Sequence, residues 1–251
     1  MTQDLFRTDA YQQECSATVR AVGPQGIVLD RTVFYPLGGG QAGDTGVLQV
    51  LSGALAGAHI PITDTRKGKD AEGRFTQDIC HLPDPANPSD LAQLQPGDTV
   101  RACIDWPRRH RLMRLHTTTH LLCHLVPQLV NGCSITPEYA RLDFHMTDPL
   151  DKDTLNAGIA RLVAAAHPLV VGAVTDAELD ANPALVKSMS VQPPRGSGSV
   201  RTIRIGGTDA VDLQPCGGTH VANTAEIGAV VVTKIEKKSA TTRRIVLGFA
   251  A

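Results

Sequence analysis

Two pairs of ligand-type residues constrain this chain more than any other feature. They are His116-Thr117-Thr118-Thr119-His120 and, about a hundred residues later, Cys216-Gly217-Gly218-Thr219-His220. On a helix, residues four apart differ by about 40° in direction, so His116 and His120 project side by side. The second pair follows Pro215 and encloses two glycines, which places it on a turn. Three imidazoles and one thiolate form a donor set that suits Zn2+ in a tetrahedral site. A fold that uses them must carry the turn back onto the helix. Cys123 and His124 share the same stripe further on, but Cys123 lies about 10 Å along the axis from His116, so both are expected in the core. The residues between the histidines are threonines, not the glutamate base of an HExxH metalloprotease.

The 251 residues divide by charge and composition. Residues 1–105 carry 8 Lys+Arg against 13 Asp+Glu, a balance of −5, whereas residues 106–251 carry 16 against 12, a balance of +4. The first part has short β-leaning runs such as 17–22 and 26–30 among Gly- and Pro-rich turns, the pattern of a small barrel or sandwich, and 95–105 reads as a turn leading into a strand. The second part begins with helical periodicity over 108–130 and has a second helix over about 151–166, stopped by Pro168. Strand-like runs occupy 139–145, 169–174, 200–205 and 227–235, so this part reads as α+β. The stretches 82–90 and 192–199 read as loops. No apolar run reaches the roughly 18–20 residues of a membrane helix. The start lacks a basic segment leading into an apolar one, and the six cysteines form no CxxC pair, so reduced thiols in the cytoplasm are expected.

HTTTH followed by CGGTH resembles the editing domain of alanyl-tRNA synthetase and its free-standing AlaX-type relatives. Three further stretches carry the same resemblance. Phe34 to Gly46, containing Gly38-Gly39-Gly40-Gln41, is similar to the glycine-rich motif in the barrel of the longer AlaX forms. Cys133 to Pro137 with Arg141 to Phe144 is similar to the strand pair after the first helix, and Lys237 to Ile245 to the basic C-terminal strand. The resemblance implies an N-terminal β-barrel over 1–105 and a zinc-binding α+β editing domain over 106–251. It implies hydrolysis of the ester joining serine, with glycine as a second candidate, to the acceptor end of alanine tRNA.

Zinc would then be held by His116, His120, Cys216 and His220. Editing requires reading the serine hydroxyl that alanine lacks; the hydroxyls of Thr117–Thr119, Ser134 and above all Thr136 are the candidates. Gly39, Gly40 and Gln41 are expected to dock the two parts together and to border the substrate. Arg108 and Arg109 with Arg111 and Arg114, and Lys237 and Lys238 with Lys234, Arg243 and Arg244, form two basic clusters that suit RNA phosphates. Aromatic residues are few, which disfavours extensive base stacking. Two rival readings stay open: an RNA-binding module with a structural zinc, and an editor of another mischarged tRNA such as threonine tRNA bearing serine.

Overall fold

Alternation decides the first hundred residues. In Thr99–Ile104 the apolar Val100, Ala102 and Ile104 are buried while the residues between them face outward, the period-two signature of a strand with one covered face. The structure, a computed structural model, describes residues 1–86, 91–190, 192–193 and 198–250. Along the chain it begins with β1 (Gln3–Asp4), β2 (Glu14–Gly23), β3 (Gly26–Leu29), β4 (Arg31–Thr32), β5 (Gly46–Val50), β6 (His59–Lys69), β7 (Phe75–Pro83) and β8 (Thr99–Ile104). Six of these close a barrel in the order β2-β3-β7-β6-β5-β8, with β8 pairing back onto β2. Val19, Ile27, Leu29, Leu48, Val50, Ile62 and Val100 fill its core. β1 and β4 form a small parallel pair.

The second half contains α1 (Trp106–Leu125), β9 (Val130–Ile135), β10 (Tyr139–His145), α2 (Lys152–Ala164), β11 (Leu169–Val174), α3 (Asp176–Ala181), β12 (Val200–Ile205), β13 (Asp212–Pro215), β14 (Val230–Ser239) and β15 (Thr242–Phe249). One antiparallel sheet runs β14-β15-β10-β9 and a smaller one β11-β12-β13. On the first sheet Ala140, Leu142, Phe144, Ile245, Leu247 and Val232 are buried. α2 lies along β14. The Asp151 side chain caps α2 through the Thr154 amide at 2.7 Å. The chain as a whole is mixed and strand-rich, compatible with α+β.

Two compact units result. One comprises Met1–Gly38 with Ala42–Arg109; the other comprises His110 onward together with Gly39–Gln41. Three residues from the glycine-rich motif thus group with the second unit although they lie among the strands of the first in sequence.

The structure corrects several expectations. α1 stops at Leu125 rather than running to residue 130, because Pro127 disfavours helical backbone at Val126, and Val130 already starts β9. β14 starts at Val230, since Thr224–Ile227 form a 3-10 turn capped by Asn223. His124 is exposed, whereas Cys123 is buried as expected. The expected loops fall partly on residues 87–90 and 194–197, outside the described residues; Leu82 and Pro83 complete β7. All six cysteines are free thiols, and no helix among the described residues is long and apolar enough to cross a membrane.

Candidate metal centre

α1 is buried nearly all round at its middle, so its polar residues must find partners locally. Thr118 Oγ1 donates to the Arg114 carbonyl at 2.8 Å and Thr119 Oγ1 to the His116 carbonyl at 2.7 Å, bonds that let hydroxyls sit inside a helical core. His116 and His120 leave the same face of this helix. The turn after β13 brings Cys216 and His220 to them. One ligand atom from each of the four residues lies within 4.8 Å of every other, and the three imidazole centroids are 4.3–5.5 Å apart. The Cys216 Sγ is 3.5 Å from His116 Nε2 and 3.3 Å from His220 Nε2. Ligands at about 2.0–2.3 Å from a tetrahedral ion are separated by about 3.5 Å, so the spacing and the donor chemistry fit zinc.

Each histidine is oriented by a bond on its far edge. His116 Nδ1 meets Gln41 Oε1 at 2.7 Å, His120 Nδ1 meets Asp212 Oδ2 at 2.8 Å, and His220 Nδ1 meets Thr117 Oγ1 at 3.2 Å. These contacts occupy Nδ1 and leave Nε2 for the shared point, as partners of metal-binding imidazoles do. Gln41 is held in turn: its Nε2 donates to Thr219 Oγ1 at 2.8 Å and its Oε1 accepts from the Thr219 amide at 3.1 Å. The ligand turn is pinned by Arg201, whose Nη1 donates to the carbonyls of Cys216 (2.6 Å) and Gly218 (3.2 Å), while the Gly218 amide points to Cys216 Sγ at 3.4 Å.

Two glycines are required by close approach. A Cβ at Gly218 would stand 2.1 Å from His116 Cε1, and one at Gly40 (φ +85°) would stand 2.9 Å from Cys133 Sγ. Gly40 instead presents its carbonyl to the Ile135 amide at 2.7 Å, which seats Gln41 beside β9.

The electrostatics suit a cation. Burial opposes the Cys216 thiolate, but the charges of His116 and His220 and bonds from His116 and His120 hold the thiol well below its ordinary value. Burial also disfavours a charged His120, yet Asp212 and Cys216 raise it to about 9. Burial, together with repulsion from His116, pushes His220 down to about 3. A divalent ion would balance the sulfur without protonating an imidazole.

The other expected site residues sit on or beside β9, on α1 and on the C-terminal strands. Thr136 spends its hydroxyl in the β9–β10 turn, donating to the Tyr139 carbonyl (3.1 Å) and accepting from the amides of Glu138 (3.3 Å) and Tyr139 (3.2 Å). Ser134 alternates with Cys133 along β9 and projects from the opposite face, across from Arg141. Arg109 is fully buried: its guanidinium pairs with Asp44 and donates to the carbonyls of Val33 (2.7 Å) and Ala10 (3.0 Å), so it is not presented to phosphate. Arg108 is half-buried, and its Nη1 has no hydrogen-bond partner among the described residues.

At the C-terminal end, Arg243 is buried on the carbonyls of Thr147 and Ser239, and Arg244 grips Asp143 with two bonds of 2.7 and 2.9 Å. Arg111 and Arg114 stack on Phe249, 4.1 and 4.5 Å from its centroid. Lys237 and Lys238 remain exposed on β14. Sequence reasoning missed Asp212 and Arg201. The one available signal for Asp212 was an acid between Val211 and Leu213, four residues before Cys216.

Comparison with known proteins agrees with this construction. The family described as "Threonyl and Alanyl tRNA synthetase second additional domain" matches residues 200–246, which include the Cys216–His220 turn. The chain is 34% identical to the alanyl-tRNA editing protein AlaX-M of Methanosarcina barkeri and 32% identical to that of Saccharolobus solfataricus, each alignment covering 98% of both chains. It is also 34% identical to the alanine–tRNA ligase of Sulfurisphaera tokodaii over 94% of this chain but 25% of that enzyme. With similarity running end to end, the chain belongs to the AlaX-M family of alanyl-tRNA editing proteins.

Proposed function

We propose that the protein is a zinc-dependent aminoacyl-tRNA deacylase that acts in trans on alanine tRNA mischarged with serine, and with glycine as a second substrate. One observation carries this reading: four zinc-type donors converge within 4.8 Å in a chain that aligns along its whole length with alanyl-tRNA editing proteins. In this reading residues 1–105 form a barrel domain and residues 106–251 the editing domain, working in the cytoplasm.

His116, His120, Cys216 and His220 would hold the ion, which when bound supplies Lewis acidity at the ester. The rest is done by the chain. Gln41, Asp212 and Thr117 fix the three imidazoles, and Arg201 fixes the turn that carries Cys216. Water adds to the ester carbonyl carbon, the bond to the ribose oxygen breaks, and serine leaves as a carboxylate while the ribose hydroxyl is regenerated. α1 offers no general base, so the neighbouring hydroxyl of the terminal ribose is the group we assign to placing the water. Lys237 and Lys238 are exposed cations that can meet phosphate, while Arg109, Arg243 and Arg244 act within the fold.

Deacylation of Ser-, Gly- and Ala-charged alanine tRNA, with and without chelator, tests the proposal. Serine should be released quickly, alanine spared, and the reaction stopped by chelator. Zinc-loaded protein that leaves Ser-tRNA at the buffer rate would overturn it and favour a structural zinc. A terminal deoxyribose should slow cleavage far more than it weakens binding. Replacing Lys237 and Lys238 with Gln should flatten the salt dependence of kcat/KM.

A further inference from the structure

The three ligand histidines are not oriented alike. His116 and His220 lean on the neutral oxygens of Gln41 and Thr117, whereas His120 leans on the carboxylate of Asp212, which is buried at 2% exposure. The other oxygen of that carboxylate is paired with the Lys187 ammonium, and Gln214 Nε2 adds a bond to Oδ2 at 2.8 Å. Lys187 is itself fixed by its backbone: its carbonyl accepts from the Val130 amide at 2.8 Å, and the Met189 amide donates to the Val130 carbonyl at 2.8 Å, so this segment lies along the edge of β9.

We infer that Asp212 is the positioning residue that sets the strength of His120 as a metal ligand, and that Lys187 holds Asp212 in place and offsets its charge. The inference rests on the zinc reading above. A carboxylate behind an imidazole orients the ring and increases its basicity toward a metal. It also adds negative charge next to a site that already contains a thiolate. Zinc, thiolate and carboxylate together would be neutral; with the Lys187 ammonium the group stays net positive, which suits a site that must polarise an ester and face an anionic substrate. The two residues therefore have separable roles. Asp212 governs how tightly the metal is held, and Lys187 governs both the seat of Asp212 and the electrophilic character of the site.

The test uses the full chain, loaded with Zn2+ in competition with a chromophoric chelator, and Co2+ as a spectroscopic probe. D212N should weaken zinc binding by roughly 10- to 100-fold and shift the Co2+ visible bands. K187M should weaken zinc binding several-fold, less than D212N, and at saturating zinc lower kcat more than it raises KM. K187R should restore both. D212N that binds zinc like the parent, or whose loss of affinity is matched by an equal loss of stability before metal is added, overturns the inference. If D212N does not fold, K187M decides: unchanged zinc affinity and an unchanged Co2+ spectrum overturn it. A parent protein that takes up no stoichiometric zinc fails at the underlying reading, an outcome distinct from variants that leave a working site unaltered.

Discussion

The barrel and the metal centre both bury groups that prefer water, and each satisfies them in its own way. In the barrel unit, Arg109 sits at 0% exposure with its donors directed to Asp44, Val33 and Ala10, and His81 sits between the Ile27 carbonyl (2.9 Å) and the Thr32 hydroxyl (2.8 Å). Every partner comes from the unit itself. In the metal centre, Gln41, Asp212 and Thr117 satisfy only the outer edges of three imidazoles, and the inner edges face one another and a sulfur. The first arrangement is complete as it stands. The second leaves four donor atoms converging on a point that could hold a shared cation, so in the zinc reading the two units should respond to different stresses.

The largest expected effect separates them directly. Removing zinc by chelation, or replacing Cys216 with Ala, should reduce deacylation by roughly a hundred- to a thousand-fold or more. Amide exchange should rise around α1 and the Cys216 turn while β2 to β8 stay protected. Equal loss of protection in both units would break the comparison.

The converse perturbation is Asp44→Ala, which leaves the Arg109 guanidinium buried without its counter-charge. It should cost about 3–5 kcal/mol in denaturant unfolding, with zinc bound per folded molecule unchanged. Zinc content that falls in step would show that the units do not respond separately.

His81 supplies a pH-dependent version of the same test. Burial, partly opposed by the bond to Ile27, lowers it from 6.5 to about 4. Between those values the unfolded chain binds a proton that the folded barrel does not, so stability rises with pH. Acidification from about pH 6.5 to pH 4 should therefore remove up to about 3 kcal/mol, with no further loss from this residue below that window. His81→Gln should flatten that part of the curve, and an unchanged slope would assign the acid sensitivity elsewhere.

The smallest expected effect sharpens the metal side. Gln41→Ala removes the partner of His116 Nδ1 and should weaken zinc roughly 10- to 100-fold, or about 1.4–2.7 kcal/mol, leaving barrel stability unaltered. Full zinc affinity in this variant would make Gln41 a packing residue.

What could be read from the sequence follows from how local each feature is. His116 with His120 and Cys216 with His220 were legible because ligand spacing is a short-range pattern. β10, β11 and β12 were legible because each is a short local run rich in strand-favouring residues, and their ends match the expected runs. Arg109 was not legible: it stands in a basic run that reads as a solvated face, and its partner Asp44 is 65 residues away. Asp212 was hidden for the same reason, since only the folded chain shows that it reaches His120, 92 residues distant. Gln41 was noticed for its glycines, but its bond across 75 residues to a ligand histidine appears only in three dimensions. The turn partners of Thr136 were not legible either, since its bonds to Glu138 and Tyr139 appear only once the chain after β9 has folded back.

The order in which the centre's parts occur along the chain has a consequence for synthesis. Gln41 leaves the ribosome first, the two helical histidines some 75 residues later, and Cys216 and His220 about a hundred residues after those. A nascent or truncated chain can complete all eight strands of its first unit and still lack half the donors. In the zinc reading, capacity to take up the ion therefore reports that synthesis has passed His220, and a chain stopped before Cys216 would lack the turn that supplies half the donors.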